Sequence, residues 1–290
     1  MMKRYDIAII GSGPAGLEAA INAKIRNKKI ILFGSASLSQ KITAAPRIGN
    51  YLGFPEITGK QLQQRFLEHL ERMEISIQEE RINAVYSMGS YFALAGHRNN
   101  YEAEAVIVAT GIENAKPFEG EERLLGKGVG YCATCDAPLY RGKTVCVIGY
   151  NEEAEQDANF VAELAGQIYY IPMKPVHNKL DHRITVLEDR PMAILGDDRV
   201  THLHMKSHSI PTDAVFILRD SVSPSYLVPG IEMEDGFIKV DMHMQTSLPG
   251  LFAAGDCTGK PHQYMRAAGQ GQTAALNAAA YLDRRRAGLV

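Results

Sequence analysis

Tyr5-Asp6-Ile7-Ala8-Ile9-Ile10-Gly11-Ser12-Gly13-Pro14-Ala15-Gly16 is the stretch that decides the fold. Residues 5–10 are a short apolar run closing on glycine, the pattern of a parallel strand buried on both faces. Leu17, Ala20 and Ile21 follow at helical spacing, and residues 29–33 form a second strand-like run. G-x-G-x-x-G acquires meaning only in such a strand-helix-strand setting. Gly11 permits the tight turn, Gly13 lets backbone approach a pyrophosphate, and Gly16 lets helix and strand pack closely. Pro14 sits where helix N–H groups are unpaired in any case, so it sacrifices no hydrogen bond. Ser12 and Ala15 complete a nucleotide-binding turn. The acidic residue that usually closes the second strand of such a unit is replaced by Phe33-Gly34-Ser35, which leaves Ser35 or backbone to hold a ribose.

Two later segments belong to the same sheet by pattern. Residues 105–109 are a buried strand ending in Thr110-Gly111, and Leu251-Phe252-Ala253-Ala254 is another, ending in Gly255-Asp256 before an Ala-rich helix. Ligands of open α/β sheets sit at such strand ends. Residues 143–148 open a second strand-turn-helix unit at Gly149. With 290 residues and 46% hydrophobic composition, two domains are expected. The formal net charge of -2 gives no overall attraction to nucleic acid. No stretch approaches the ~18 apolar residues of a membrane span, and the N-terminus lacks the pattern of a signal peptide. A cytoplasmic location is therefore expected.

Between the two units lies Gly130-Tyr131-Cys132-Ala133-Thr134-Cys135-Asp136. A Cys-x-x-Cys pair can be a redox dithiol, half of a zinc site or a structural bridge. Zinc generally takes four Cys or His ligands, and only Cys146 and Cys257 remain, neither in a second such pair. The redox reading is the stronger one where thiols are kept reduced. His202, His204 and His208 share strand spacing but have no carboxylate or cysteine placed to complete a metal site, so no metal is expected.

Taken together, the G-x-G-x-x-G turn, Thr110-Gly111, Gly255-Asp256 and Cys-Ala-Thr-Cys-Asp resemble the low-molecular-weight thioredoxin reductases over nearly the whole chain. The resemblance implies an α/β fold of two Rossmann-like domains of the three-layer ββα type. The first, discontinuous domain (residues 1–114 and 243–290) would bind one FAD. The second (residues 115–242) would be a degenerate NADPH-type domain bearing the cysteines. It places FAD contacts at Gly11, Gly13, Gly16, Thr110, Gly111, Asp256 and Gln263, and a flavin-proximal segment at Asn50-Tyr51-Leu52-Gly53-Phe54-Pro55. It further implies Cys135 as the flavin-proximal thiol, Cys132 as the nucleophile toward the partner, and Asp136 as proton shuttle; a helix-capping role for Asp136 is a rival. Ala137 stands where the family usually has glycine.

The departures are informative. The family's second dinucleotide turn is replaced by Gly149-Tyr150-Asn151-Glu152-Glu153-Ala154, with Glu155 and Asp157 following. Carboxylates take the place at a helix N-terminus that a pyrophosphate would take. The basic run that reads the 2′-phosphate is replaced by Pro172-Met173-Lys174-Pro175, and Val215-Phe216-Ile217-Leu218-Arg219-Asp220 replaces a further family segment. NADPH is therefore not expected to bind. Retained FAD and dithiol segments with erased NADPH motifs resemble the ferredoxin-dependent flavin thioredoxin reductases, which implies ferredoxin as donor, thioredoxin as acceptor and a homodimer. With Cys135 at the flavin, Cys132 would be too buried to meet thioredoxin, so a domain rotation or loop opening between a flavin-reducing and a thioredoxin-reducing state is expected. The basic run at residues 24–29 and Arg284-Arg285-Arg286 are candidate ferredoxin-docking groups. Three rivals remain open: a dithiol oxidase running the chemistry backwards, a diflavin enzyme with a second FAD in the former NADPH pocket, and a redox sensor without turnover.

Overall fold

The computed structural model describes residues 4–112, 117–219 and 224–289. The chain forms two compact units, residues 1–112 with 223–290, and residues 113–222. The expected boundary at 114/115 and Asp220 lie outside the described residues. The second boundary, expected at 242/243, lies some twenty residues earlier in this division, because residues 224–242 pack with the first unit.

In the first unit, β1 (Arg4–Ile10), α1 (Pro14–Ile25) and β2 (Ile30–Phe33) form the expected strand-helix-strand start. The short α2 (Gln40–Thr43), α3 (Gly59–Arg72) and β3 (Ile77–Gln78) follow. Thr58 caps α3 through a reciprocal box with Gln61. Then β4 (Ile82–Ser87), β5 (Phe92–Gly96) and β6 (Asn100–Val108) form an antiparallel meander. Strands β3-β2-β1-β6 are parallel neighbours. One edge of the nine-residue β6 is shared: its first half pairs with β5 and its second half continues the parallel sheet. Ile7, Ile9, Ala105 and Ile107 point into a core with residues of α1 and α3, while the alternate residues Ala8, Ile10, Val106 and Val108 are equally buried. Burial on both faces is why these strands read as continuous apolar runs.

The second unit contains β7 (Val129–Gly130), α4 (Ala133–Asp136), β8 (Thr144–Gly149), α5 (Glu152–Ala162), β9 (Gln167–Pro172) and β10 (Ile184–Val186). It ends with β11 (Pro191–Leu195), β12 (His202–Met205), β13 (Ser209–Pro211) and β14 (Ala214–Leu218). A parallel sheet runs β10-β9-β8-β14-β7, and β11-β12-β13 form a separate antiparallel sheet. Ala133 and Ala137 share a buried cluster with Val145, Val147 and Phe216 of the sheet and Ala154, Ala158 and Val161 of α5. The Cys-x-x-Cys turn is thereby seated on the sheet.

The chain returns to the first unit through α6 (Pro224–Leu227), which packs on β4, and the hairpin β15 (Met233–Glu234) and β16 (Phe237–Ile238). Strand β17 (Leu251–Ala253) then pairs with the second half of β6, and α7 (Tyr264–Arg286) packs along α1. Gly271 makes that approach possible, since a Cβ there would collide with the Ala15 carbonyl.

Candidate active site

The nucleotide cradle is built at the carboxyl ends of β1, β2, β6 and β17. Gly11 has φ +122° and lies against Ala109, and a Cβ on Gly16 would collide with the Gly11 carbonyl. Gly13, the N-cap of α1, makes no side-chain cap bond, and the space its Cβ would occupy is open for 4 Å. Gly111, at φ +69°, faces equally open space. Two glycines are thus required by the chain's own packing, and two line space that a ligand can fill. Pro14 and Ala15 follow in the first turn of α1. The N–H groups of that turn have no side-chain cap and are free for a pyrophosphate.

Ser12 fixes the turn to the end of β2: its hydroxyl donates to the Ser35 carbonyl and accepts from the Ser35 N–H, both at 3.1 Å. The Ser35 hydroxyl pairs with that of Ser37 at 2.8 Å. A carboxylate from beyond the next strand reaches the loop after β2. Glu79, one residue past β3, accepts the Ala36 N–H at 3.0 Å. Sequence reasoning passed over Glu79, which becomes visible only when β3 is known to neighbour β2. Thr110 Oγ1 is buried without a hydrogen-bond partner. Gly255 (φ +86°) donates its N–H to Gln270, and Asp256 begins the single turn that follows. Asn50 Nδ2 donates to Gln263 Oε1 at 2.9 Å, joining the Asn50 loop to the N-cap of α7. Open space at Gly13 and Gly111 and an uncapped helix start fit FAD.

The basic runs proposed for docking lie elsewhere. Helix α1 leads away from the cradle for 12 residues and α7 for 23, about 18 and 34 Å at 1.5 Å per residue. Lys24 to Lys29 and the arginine triplet sit at those far ends, and several are engaged: Lys28 with Asp283, Arg286 with Asp6 and Glu104, and Arg285 with the Ser90 carbonyl. These engagements hold part of the charge of both runs within the unit.

In the second unit Cys132 and Cys135 form a disulfide. Cys132 is 5% exposed, whereas Cys135 is exposed. Asp136 folds back over β7, its Oδ2 lying 2.7 Å from where a Gly130 Cβ would be, beside Phe216. Burial raises its pKa above the ordinary carboxylate range. It makes no side-chain cap bond at the turn it precedes, so the capping rival has no hydrogen bond to support it. Cys146 and Cys257 are free and buried, and burial pushes both thiols up to about 12.

Tyr131, the residue before Cys132, belongs to a cluster that sequence reasoning missed. Arg219 forms a buried two-pronged pair with Glu121, the Nη2 to Oε2 bond being 2.8 Å. Tyr131 donates its hydroxyl to Glu121 Oε1 at 2.8 Å, and the Phe118 N–H donates to Oε2. The Arg219 guanidinium also stacks near the Phe118 and Tyr150 rings.

The former nicotinamide turn is filled by the chain itself. The Tyr170 ring occupies the space beside Gly149. Asn151 caps α5, and the buried Glu155 accepts the N–H groups of His177 (3.0 Å) and Asn178 (2.5 Å), tying the loop after β9 to the start of α5. Burial acts to raise the Glu155 pKa, but these donors outweigh it and the net shift is downward. His202, His204 and His208 bond or pair with Thr201, Ser209, Ser207 and Asp189, and no metal-holding group of side chains occurs among the described residues.

A family model, pyridine nucleotide-disulphide oxidoreductase, matches residues 5–160 and 173–271. The chain belongs to that family. This oxidoreductase is 54% identical to a ferredoxin-flavin thioredoxin reductase structure from Clostridium acetobutylicum, with a TM-score of 0.94 over 98% of this chain and 99% of the other. A second such structure from the same organism is 59% identical, with a TM-score of 0.87 over 99% and 100% of the two chains. A thioredoxin reductase of Ureaplasma parvum is 31% identical over 97% of each chain. The oxidoreductase is thus a two-domain flavoprotein whose cofactor is FAD. No helix among the described residues is long and apolar enough to cross a membrane.

Proposed function

We propose that this oxidoreductase is a ferredoxin-dependent flavin thioredoxin reductase. The observation that carries the reading is the filled nicotinamide turn: the Tyr170 ring beside Gly149 and Glu155 on the loop at residues 177–178 take the space and the helix N-terminus that NADPH would need. Similarity to the Clostridium acetobutylicum enzymes supports the same donor.

FAD, when bound, supplies the step between one-electron donors and a two-electron disulfide. Gly11, Ser12, Gly13, Pro14, Ala15 and Gly16 hold its pyrophosphate in this reading, with Ser35, Asn50, Thr110, Gly111, Gly255, Asp256 and Gln263 around the rest. Two reduced ferredoxins give up one electron each, and with two protons the Cys132–Cys135 disulfide becomes a dithiol. The Cys132 thiolate attacks the thioredoxin disulfide and releases one thioredoxin thiolate. Cys135 then attacks Cys132 Sγ, re-forming the internal disulfide and releasing the second. Asp136, with its raised pKa, is the group that gives a proton to a departing thiolate and takes one from the attacking thiol. With ferredoxin near about -400 mV and thioredoxin near about -270 mV, transfer of two electrons is downhill by roughly 6 kcal/mol. A homodimeric, cytoplasmic enzyme completes the proposal.

The test is anaerobic. Flavin bleaching and thioredoxin thiols are followed after adding NADPH in one cuvette and reduced ferredoxin in another. Bleaching by ferredoxin alone, with thiols appearing, is the expected result. Rapid bleaching by NADPH overturns it, and oxygen uptake with a small dithiol in place of both reactions would transfer the assignment to a dithiol oxidase.

A further inference from the structure

The attacking sulfur in the exchange is the buried one, and the neighbouring residue is tied down. Strand β7 ends at Gly130; Tyr131 and Cys132 follow, and the Tyr131 hydroxyl is bonded to Glu121, which Arg219 holds from the end of β14. These three side chains are buried, as is Cys132, while Cys135 is exposed. One carboxylate therefore joins the residue after β14 to the residue beside Cys132.

We propose that Tyr131, Glu121 and Arg219 are positioning residues that form a latch keeping Cys132 withdrawn. A thiol that must leave its seat to attack an external disulfide needs a defined closed position, or it is open to adventitious oxidants and alkylating agents. The latch supplies one through the Tyr131 hydroxyl on Glu121. A hydrogen bond to a charged acceptor moves a local opening equilibrium by roughly ten- to a hundredfold. The inference concerns the dithiol domain alone and holds whichever donor reduces the flavin, so it can fail without the proposed function failing, and the reverse.

The test is alkylation of the reduced holoenzyme with iodoacetamide under anaerobic conditions, with each cysteine quantified by peptide mass spectrometry. In Tyr131→Phe, labelling of Cys132 relative to Cys135 is expected to rise about tenfold or more, equally across a pH series that takes the thiols from neutral to fully ionised. Cys146, buried on β8 of the same unit, is the internal control and stays unlabelled. An unchanged Cys132 to Cys135 ratio overturns the latch. So does a rise that disappears once both thiols are ionised, which would mean a change of pKa and not of access, or a parallel rise at Cys146, which would mean general loosening. Glu121→Gln removes the same acceptor charge and is expected to change the ratio in the same direction; the opposite direction also overturns the proposal.

Discussion

The Tyr170 ring lies across Gly149, so close that a Cβ at Gly149 would sit 2.7 Å from Cζ of the phenol. The turn after β8 retains the glycine of a dinucleotide site but uses it to seat a side chain. Tyr170 is fully buried, and burial pushes its phenol up to about 12. Gly149→Ala is therefore expected to cost about 2 kcal/mol or more through overpacking. The cost should fall sharply in a Tyr170→Val background. Urea unfolding of the four proteins of this double-mutant cycle measures the coupling, and a coupling energy near zero would contradict the contact.

Gly13 and Gly16 are expected to respond differently to the same substitution. Gly13→Ala places a methyl in the open cradle and should lower FAD content while the fold persists, read as flavin absorbance per chain against circular dichroism. Gly16→Ala drives a methyl into the Gly11 carbonyl and should destabilise the first unit by several kcal/mol.

Asp136→Asn should slow thioredoxin reduction by about a hundredfold or more, the usual scale of a lost acid-base group. Because burial raises the Asp136 pKa, the wild-type rate should carry a titration above the ordinary carboxylate range, and the variant should lack it. The pH dependence of the thioredoxin half-reaction measures this, and an identical profile in both proteins removes Asp136 from proton transfer.

Glu155 has a lowered pKa in the folded chain, so its stabilisation is fully present above the ordinary glutamate value of about 4.3 and is lost as pH falls through the folded value. Glu155→Gln should reduce stability by roughly 1.5–3 kcal/mol at neutral pH, with the difference shrinking on acidification. Denaturant unfolding at several pH values tests the sign.

Arg26→Glu and Arg284→Glu should leave the rate of flavin reduction by ferredoxin within about twofold of wild type, since both lie at helix ends remote from the cradle. Stopped-flow traces at low ionic strength, where steering is strongest, would expose any contribution from these groups.

The strand-helix-strand start was legible because burial on both faces leaves a continuous apolar run and because Gly11 and Gly16 answer to steric demands that no other residue meets. The Cys132–Cys135 pair was legible because its spacing brings both sulfurs onto one turn. The erased NADPH motifs were visible as missing glycine and arginine and as carboxylates at the start of α5, but the Tyr170 ring beside Gly149 and the loop that Glu155 binds were not. Glu79, Tyr170 and the Tyr131–Glu121–Arg219 cluster join residues 43, 21 and up to 98 positions apart. Such partners meet only when parallel strands, distant in the chain, become neighbours, and buried charge announces its partner only in three dimensions. The basic runs show the same limit: composition displayed the charge, while only the fold showed that Lys28 and Arg286 are engaged by Asp283, Asp6 and Glu104. Sequence alone determined the element pattern and the redox turn, because local sterics and periodicity encode them. Tertiary structure decided what fills the former nicotinamide turn and what holds Cys132, because both are set by packing between segments that no local pattern connects.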